Sequence, residues 1–319
     1  MAFVKQAMTS EQLREDNNLM LRERVSEDVY VFTSELYAQV TAGAVLSPDG
    51  AIVIDTLPFP SETLEIVDFI QNKLSTPIKY VINTHYHADH TYGTCFFRRA
   101  EVIAHAKCRD LLHSVGRKGL TDAKMESPEL ERVEIVLPDI IFENGNMNLH
   151  LGKKTLTLIH SPGHSPDSIS VLVNEDRILF AGDMVMPLPY FVDGNIDDMT
   201  RSLQGIPSMG LENIVQGHGE VILRGEIDEA IRSSLRYLDN VRKKVTRTAE
   251  RGRGRDDLAD IDIESCGKSR IPLGGLVAKL HQGNVYALYN SLTGGSQKKG
   301  TVKAVKIKRL PKLKRGKKK

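Results

Sequence analysis

Short apolar runs broken by turn residues fill the first part of the chain. Residues 29–32, 43–46 and 51–55 have the length and composition of strands, and Pro48-Asp49-Gly50 between the last two is a hairpin turn signal. The period then changes to that of a helix. Ile66, Val67, Ile70 and Leu74 fall on one face, with Ser61 as the expected N-cap and Glu62 in the first turn, where the helix dipole favours an acid. Residues 78–83 read as a strand running directly into Thr84-His85-Tyr86-His87-Ala88-Asp89-His90. A short helix is expected over about 92–99, then a strand at 102–103 and a helix over 108–115.

The strand period dominates from 133 to 183. Predicted strands are 134–137, 140–142, 147–151, 155–159, 168–173 and 178–181, with Glu143-Asn144-Gly145 as one of the turns. Ile227, Ile231, Leu235 and Leu238 form one stripe of a helix that runs to about Val245. Residues 247–255 are polar, basic and glycine-containing, and read as a linker. Residues 273–292 regain apolar character and read as a small helical appendage. The pattern divides the chain into a body over 1–246, a linker with its appendage over 247–294, and a lysine-rich tail over 295–319 that is expected to be disordered. Strand blocks interleaved with helices place the body in the α/β class.

Charge changes this picture at one end. The formal net charge is +2, yet residues 298–319 carry twelve of the 43 Lys and Arg residues and none of the 41 acids. The rest is an acidic body of about −10. Such a tail offers a weak electrostatic contact to nucleic acid, although a solvated segment is the plainer reading. No apolar run approaches the ~18–20 residues that span a bilayer, so no membrane partner is expected. The first residues lack the apolar stretch of a secretory signal, and the three cysteines, Cys95, Cys108 and Cys266, form no Cys-x-x-Cys pair. Both features suggest a cytoplasmic protein.

The chemistry concentrates at four places. His85-x-His87-x-Asp89-His90 supplies imidazoles and a carboxylate, the usual non-sulfur ligands of zinc. His164, Asp183 and His218 each follow a predicted strand and sit beside a glycine, in Gly163-His164, Gly182-Asp183 and Gly217-His218-Gly219. Loops at strand ends are where a rigid sheet positions reactive groups. His105, His113, His150, His160 and His281 have no ligand-rich neighbours and read as surface or packing residues, and Cys95 as a core residue.

This set, with Asp55 after its own strand, resembles the metallo-β-lactamase superfamily from about Val29 to Ile222. The resemblance implies an αββα sandwich over 1–246 with the site at one edge of the sheets. It implies that His85, His87 and His164 bind one zinc ion, that Asp89, His90 and His218 bind a second, and that Asp183 bridges them. Asp55 is implied not as a ligand but as a hydrogen-bonding support for the ligand loop. Two zinc ions per chain are expected, with iron or manganese as the alternative metal, and a homodimer is implied.

The expected reaction is hydrolysis of a small-molecule substrate. Paired cations lower the pKa of a shared water from ~15.7 to near 7, and the bridging hydroxide attacks an ester, lactone, thioester or, as a weaker substrate class, β-lactam carbonyl. Asp89 would orient that hydroxide and pass its proton on, and Tyr190, with Phe191 beside it, would meet substrate. Asp183 stands where one β-lactamase subclass has cysteine, and no counterpart of the glutathione-binding segment of glyoxalase II occurs in 256–292. Two alternatives stay open: a metal-dependent nuclease or phosphodiesterase that uses the basic tail, and a mononuclear iron persulfide dioxygenase.

Overall fold

The computed structural model describes residues 20–252 and 254–294. The lysine-rich tail and its expected disorder lie outside the described residues.

The first half of the chain builds a seven-stranded sheet. It contains β1 (Met20–Arg24), β2 (Val29–Ser34), β3 (Thr41–Ser47) and β4 (Gly50–Ile54) as an antiparallel meander. Helix α1 (Pro60–Asp68) then crosses over to β5 (Ile78–Ile82), which lies parallel to β4. The short helix α2 (Ala88–Thr91) leads to β6 (Glu101–His105), and α3 (Ala106–Leu111) and α4 (Arg117–Glu126) lead to β7 (Ile140–Phe142), which closes the sheet in the order β1 to β7. The second sheet has six strands: β8 (Asn146–Leu151), β9 (Lys154–His160), β10 (Ile169–Val173), β11 (Ile178–Phe180), β12 (Asn213–Val215) and β13 (Ile222–Leu223). Helix α5 (Ile196–Gly205) connects β11 to the parallel β12, and α6 (Arg224–Glu250) and α7 (Leu276–Thr293) follow.

Period-two alternation explains the layering. Val29, Val31, Ile52 and Ile54 point between the sheets and meet Leu156, Leu158, Val171, Ile178 and Phe180 of the second sheet. Their neighbours Phe32, Ala51 and Val53 point the other way and pack under Ile66, Phe69 and Ile70 of α1 and its extension. The outer face of the second sheet is covered by α5, α6 and α7 through Met199, Leu203, Ile231, Leu238, Val277 and Val285. The result is the expected αββα sandwich. Each fully buried aliphatic side chain contributes about 1.5–3 kcal/mol of transfer free energy, so three continuous apolar layers hold the strand ends rigidly.

Several local expectations are corrected. Ser61 does not cap α1: Phe59 holds the N-cap position and Pro60 opens the helix, a proline being preset for the first helical turn. Residues 134–137 form no strand. Ile135 and Leu137 there pack as irregular chain against Cys108 and Leu112, without a strand neighbour to bond their backbone. Helix α6 runs on to Glu250, through the first part of the segment read as a linker. Helix α7, in the segment read as a helical appendage, packs along α6 and shares its core. Helices α4 and α5 were not anticipated. No helix among the described residues is long and apolar enough to cross a membrane.

Candidate metal centre

The ligand candidates converge from loops at the ends of β5, β9, β11 and β12. His85, His87, His164 and Asp183 each offer an atom within 4.8 Å of the others, and Asp89, His90 and His218 do the same beside them. The two groups adjoin. His90 Nε2 lies 3.2 Å from Asp183 Oδ1, and His218 Nε2 lies 3.2 Å from Asp89 Oδ2 and 3.6 Å from Asp183 Oδ2. His85, His90 and His164 are essentially inaccessible, whereas the Asp89 side chain keeps 17% of its surface.

Each ring is held by the nitrogen that faces away. His90 Nδ1 donates to Asp55 Oδ2 at 2.8 Å, His164 Nδ1 to the Tyr190 carbonyl at 2.7 Å, and His218 Nδ1 to the Ala38 carbonyl at 2.9 Å. His85 Nδ1 lies 3.1 Å from Thr84 Oγ1. All four rings therefore present Nε2 inward. His87 is inverted: its Nε2 faces Asp193 Oδ2 at 3.2 Å, and its Nδ1 lies 3.1 Å from His85 Nε2 and 2.9 Å from His164 Nε2. Fixing one imidazole nitrogen in this way sets the tautomer and direction of the other. Asp55 also accepts from the Thr84 amide at 2.8 Å and its hydroxyl at 2.7 Å, so one buried carboxylate grips both the start and the end of the His85–His90 loop.

Close approach shapes the loops. A Cβ at Gly217 would overlap Asp183 Oδ1, so the β12 loop can reach the centre only with glycine there. A Cβ at Gly194 would overlap the Gly163 carbonyl, which fixes the segment after β11 against the His164 loop.

The donor set fits divalent cations. His90 Nε2 and Asp183 Oδ1 are buried and face each other at 3.2 Å, yet neither makes a directed hydrogen bond to a described residue, an arrangement that a cation between such groups would satisfy. Protonation within the cluster is divided. Burial opposes charge on His218, but Asp183 and Asp89 carry it up to about 10. Burial brings His164 down to about 4 in spite of Asp183. Burial would raise Asp89, yet His90 and His218 hold it at about 2. The carboxylates thus stay ionised, the state a cation needs.

The remaining predicted residues fall as follows. Tyr190 is half-buried, its ring centre 5.9 Å from that of His164 and its edge near Gly283 of α7. Phe191 is instead part of the core under α7. Cys95 is half-buried and packs beside Tyr92 and Leu130. His113 and His150 are exposed, His105 and His160 stack 4.1 Å apart, and His281 is buried in the α6–α7 layer. Three residues near the site carried no sequence signal for the role they take there. Asp193 binds both His87 and the Tyr86 hydroxyl. Tyr37 has its phenol pushed well up by burial and by Asp89 and Asp183. Glu62 accepts from Ser34 Oγ at 2.7 Å and from the amide of Glu35 at 3.0 Å, holding the loop that carries Tyr37 and Ala38.

Known proteins share this architecture. Residues 38–244 match the family model described as the metallo-beta-lactamase superfamily. A beta-lactamase-like protein 2 homolog of Caenorhabditis elegans is 24% identical over 66% of this chain and 65% of its own length. The human acyl-coenzyme A thioesterase MBLAC2 is 30% identical over 43% and 54%. An atrochrysone carboxyl ACP thioesterase of Aspergillus terreus is 22% identical over 65% and 59%. The chain thus spans between about half and two thirds of the length of these relatives. Among solved structures, a metallo-beta-lactamase from Pontibacter korlensis superposes with a TM-score of 0.57 at 20% identity, covering 69% of this chain and 99% of that one. A sec-alkylsulfatase from Pseudomonas sp. gives 0.71 at 13% identity over 87% and 51%. With its family match over most of its length and the αββα fold around the His/Asp cluster, the chain belongs to the metallo-beta-lactamase superfamily.

Proposed function

We propose that the chain is a two-metal hydrolase whose substrate is an acyl thioester. The observation that carries the reading is the pair of adjoining buried ligand groups, which meet where His90 Nε2 and Asp183 Oδ1 lie 3.2 Å apart, neither of them in a directed hydrogen bond. His85, His87 and His164 would hold one divalent cation, Asp89, His90 and His218 the other, and Asp183 would serve both. Zinc is the metal such a nitrogen- and oxygen-rich set favours. Bound there, the cations supply a nucleophile at neutral pH by lowering the pKa of water.

The protein's own groups do the rest. Five imidazoles are aimed before any substrate arrives, so no reorganisation is needed during reaction. Asp89 is the more open of the two carboxylates among the ligand candidates, which suits it to take a proton and pass it outward. Tyr190, its phenol kept protonated by burial and by Asp193, can donate to a substrate oxygen at the rim. The thioester is favoured among carbonyl substrates because two of the similar proteins carry thioesterase in their names, one for acyl-coenzyme A and one for atrochrysone carboxyl ACP.

The test is a substrate panel of acyl-coenzyme A esters, simple lactones and β-lactams, run on zinc-loaded protein and on protein stripped by chelator. Thioester cleavage that disappears on stripping, returns with zinc and is lost in His87→Ala supports the reading. Failure of the zinc-loaded protein to cleave any thioester, or equal activity after complete metal removal, overturns it.

A further inference from the structure

One short segment holds two of the four members of the first ligand group. Residues 187–193 follow the Asp183 turn and cross in front of the His164 loop. The Tyr190 carbonyl accepts from His164 Nδ1 at 2.7 Å, and Asp193 faces His87 Nε2 at 3.2 Å. Neither ring can turn without disturbing this strap.

The strap is held from behind by α7. Asn284 Nδ2 donates to the Pro189 carbonyl at 2.7 Å, and Asn284 Oδ1 accepts from the Phe191 amide at 3.0 Å. These two bonds bracket Tyr190, so one amide side chain fixes the carbonyl that orients His164. Asn284 is fixed in turn. Its second amide hydrogen goes to the Tyr237 hydroxyl at 3.1 Å, that hydroxyl lies 2.9 Å from His281 Nδ1, and His281 Nε2 lies 2.8 Å from the Ile261 carbonyl.

The directions along this chain follow from the ends. A carbonyl only accepts, so His281 Nε2 carries the proton and Nδ1 of the neutral ring is an acceptor. The single Tyr237 proton goes to that nitrogen, and its lone pair receives the Asn284 amide. The amide of Asn284 is oriented by the same logic, because the Phe191 N–H needs an acceptor and the Pro189 carbonyl a donor. Tyr237, His281 and Asn284 are 0%, 1% and 0% exposed, so no water substitutes for a missing partner. Burial also keeps His281 below its ordinary pKa, consistent with a neutral ring.

We propose that Asn284 is a positioning residue for the His85, His87 and His164 side of the metal centre, acting through the 187–193 strap without touching a ligand. The inference rests on the two-ion reading above. Selectivity follows from anchorage. His90 and His218 are held by Asp55 and by the Ala38 carbonyl, which belong to the first sheet and its loops. Loosening α7 therefore disturbs one ion and spares the other.

The experiment is a zinc titration of metal-free protein against a chromophoric chelator, with thermal unfolding of the same samples. Wild type is expected to take two ions. Asn284→Leu should weaken one by about tenfold, the lower end of the loss seen when a group bonded directly to a ligand is removed, and leave the other within about twofold. Tyr237→Phe keeps the shape of the core and should shift the same ion by less. In a His164→Ala background Asn284→Leu should have no further effect on the remaining ion, because both changes act on one site. Wild-type affinity for both ions in Asn284→Leu and Tyr237→Phe, or equal weakening of both ions, overturns the proposal. A wild type that takes up no ion overturns the two-ion reading itself, and this inference with it.

Discussion

His90 donates from Nδ1 to Asp55 Oδ2 at 2.8 Å, and this bond decides which ring nitrogen faces Asp183. Asp55 achieves it in a left-handed backbone conformation, φ 56°, that a non-glycine residue adopts only when the surroundings impose it. The same side chain receives the Thr84 amide and hydroxyl. One carboxylate therefore ties β4 to the loop carrying four of the ligand candidates.

Replacing Asp55 by Ala should weaken zinc binding at the Asp89–His90–His218 group by about 10–100-fold. It also strands three buried donors, each costing roughly 1–3 kcal/mol when unmet, so chemical denaturation should show a loss of several kcal/mol even in metal-free protein. Zinc affinity and stability both equal to wild type would show that the bond does not orient His90.

The ligand candidates and the sheets were legible because their signals are local. Each candidate follows a strand-length apolar run and sits in a glycine-marked turn or in the His85–His90 cluster. The supports were not, because nothing in the sequence near Asp193, Glu62 or Asn284 says what they face. Asp193 meets a side chain 106 positions away, and Asn284 meets backbone 93 and 95 positions away. The strand expected at 134–137 failed for a related reason. Periodicity reports which residues are apolar but not whether a neighbouring strand is present to bond them.

Gly217 offers a steric test. Gly217→Ala would force a methyl group onto Asp183 Oδ1 and the backbone around Gly182. Overpacking of this kind typically costs about 1–3 kcal/mol, and here it would also displace a ligand candidate, so zinc stoichiometry should fall along with stability. At Gly119 in α4 an added methyl group would meet nothing within 4 Å, and Gly119→Ala should instead stabilise by about 0.5–1 kcal/mol. Equal effects of the two substitutions, read by urea unfolding, would contradict the packing argument.

Metal removal should lower stability as well as activity. An ion that binds only the folded chain stabilises it by RT ln(1 + [L]/Kd), about 4 kcal/mol at a thousandfold excess over Kd. Chelation should therefore depress Tm, and zinc should restore it. The shift should shrink in His164→Ala, which keeps only the second group intact. An unchanged Tm after complete stripping would mean that the cluster binds no ion in the folded state.

Glu62 should impose a pH dependence of its own. Its side chain is fully buried, and burial raises its pKa to about 7, against the hydrogen bonds from Ser34, Glu35 and Leu36 that pull it down. In the unfolded chain the carboxyl releases its proton near its ordinary value of 4.5. Between those two values the folded state holds a proton that the unfolded state has lost. The contribution of this group to stability is therefore full below about pH 4.5, falls as pH rises towards 7 and levels off above it. A shift of this size corresponds to a loss on the order of 3 kcal/mol. Glu62→Gln cannot titrate, so its stability relative to wild type should climb by that order between pH 5 and pH 8, measured by urea unfolding of metal-free samples of both proteins, in which pH-dependent metal release plays no part and the ligand histidines titrate alike. Parallel pH profiles for the two proteins would show that the buried carboxyl stays charged. In that case the Ser34 hydroxyl and the amides of Glu35 and Leu36 would already meet the full cost of burying it, and the loop that delivers the Ala38 carbonyl to His218 would be held by an ionic bond network rather than by a neutral one.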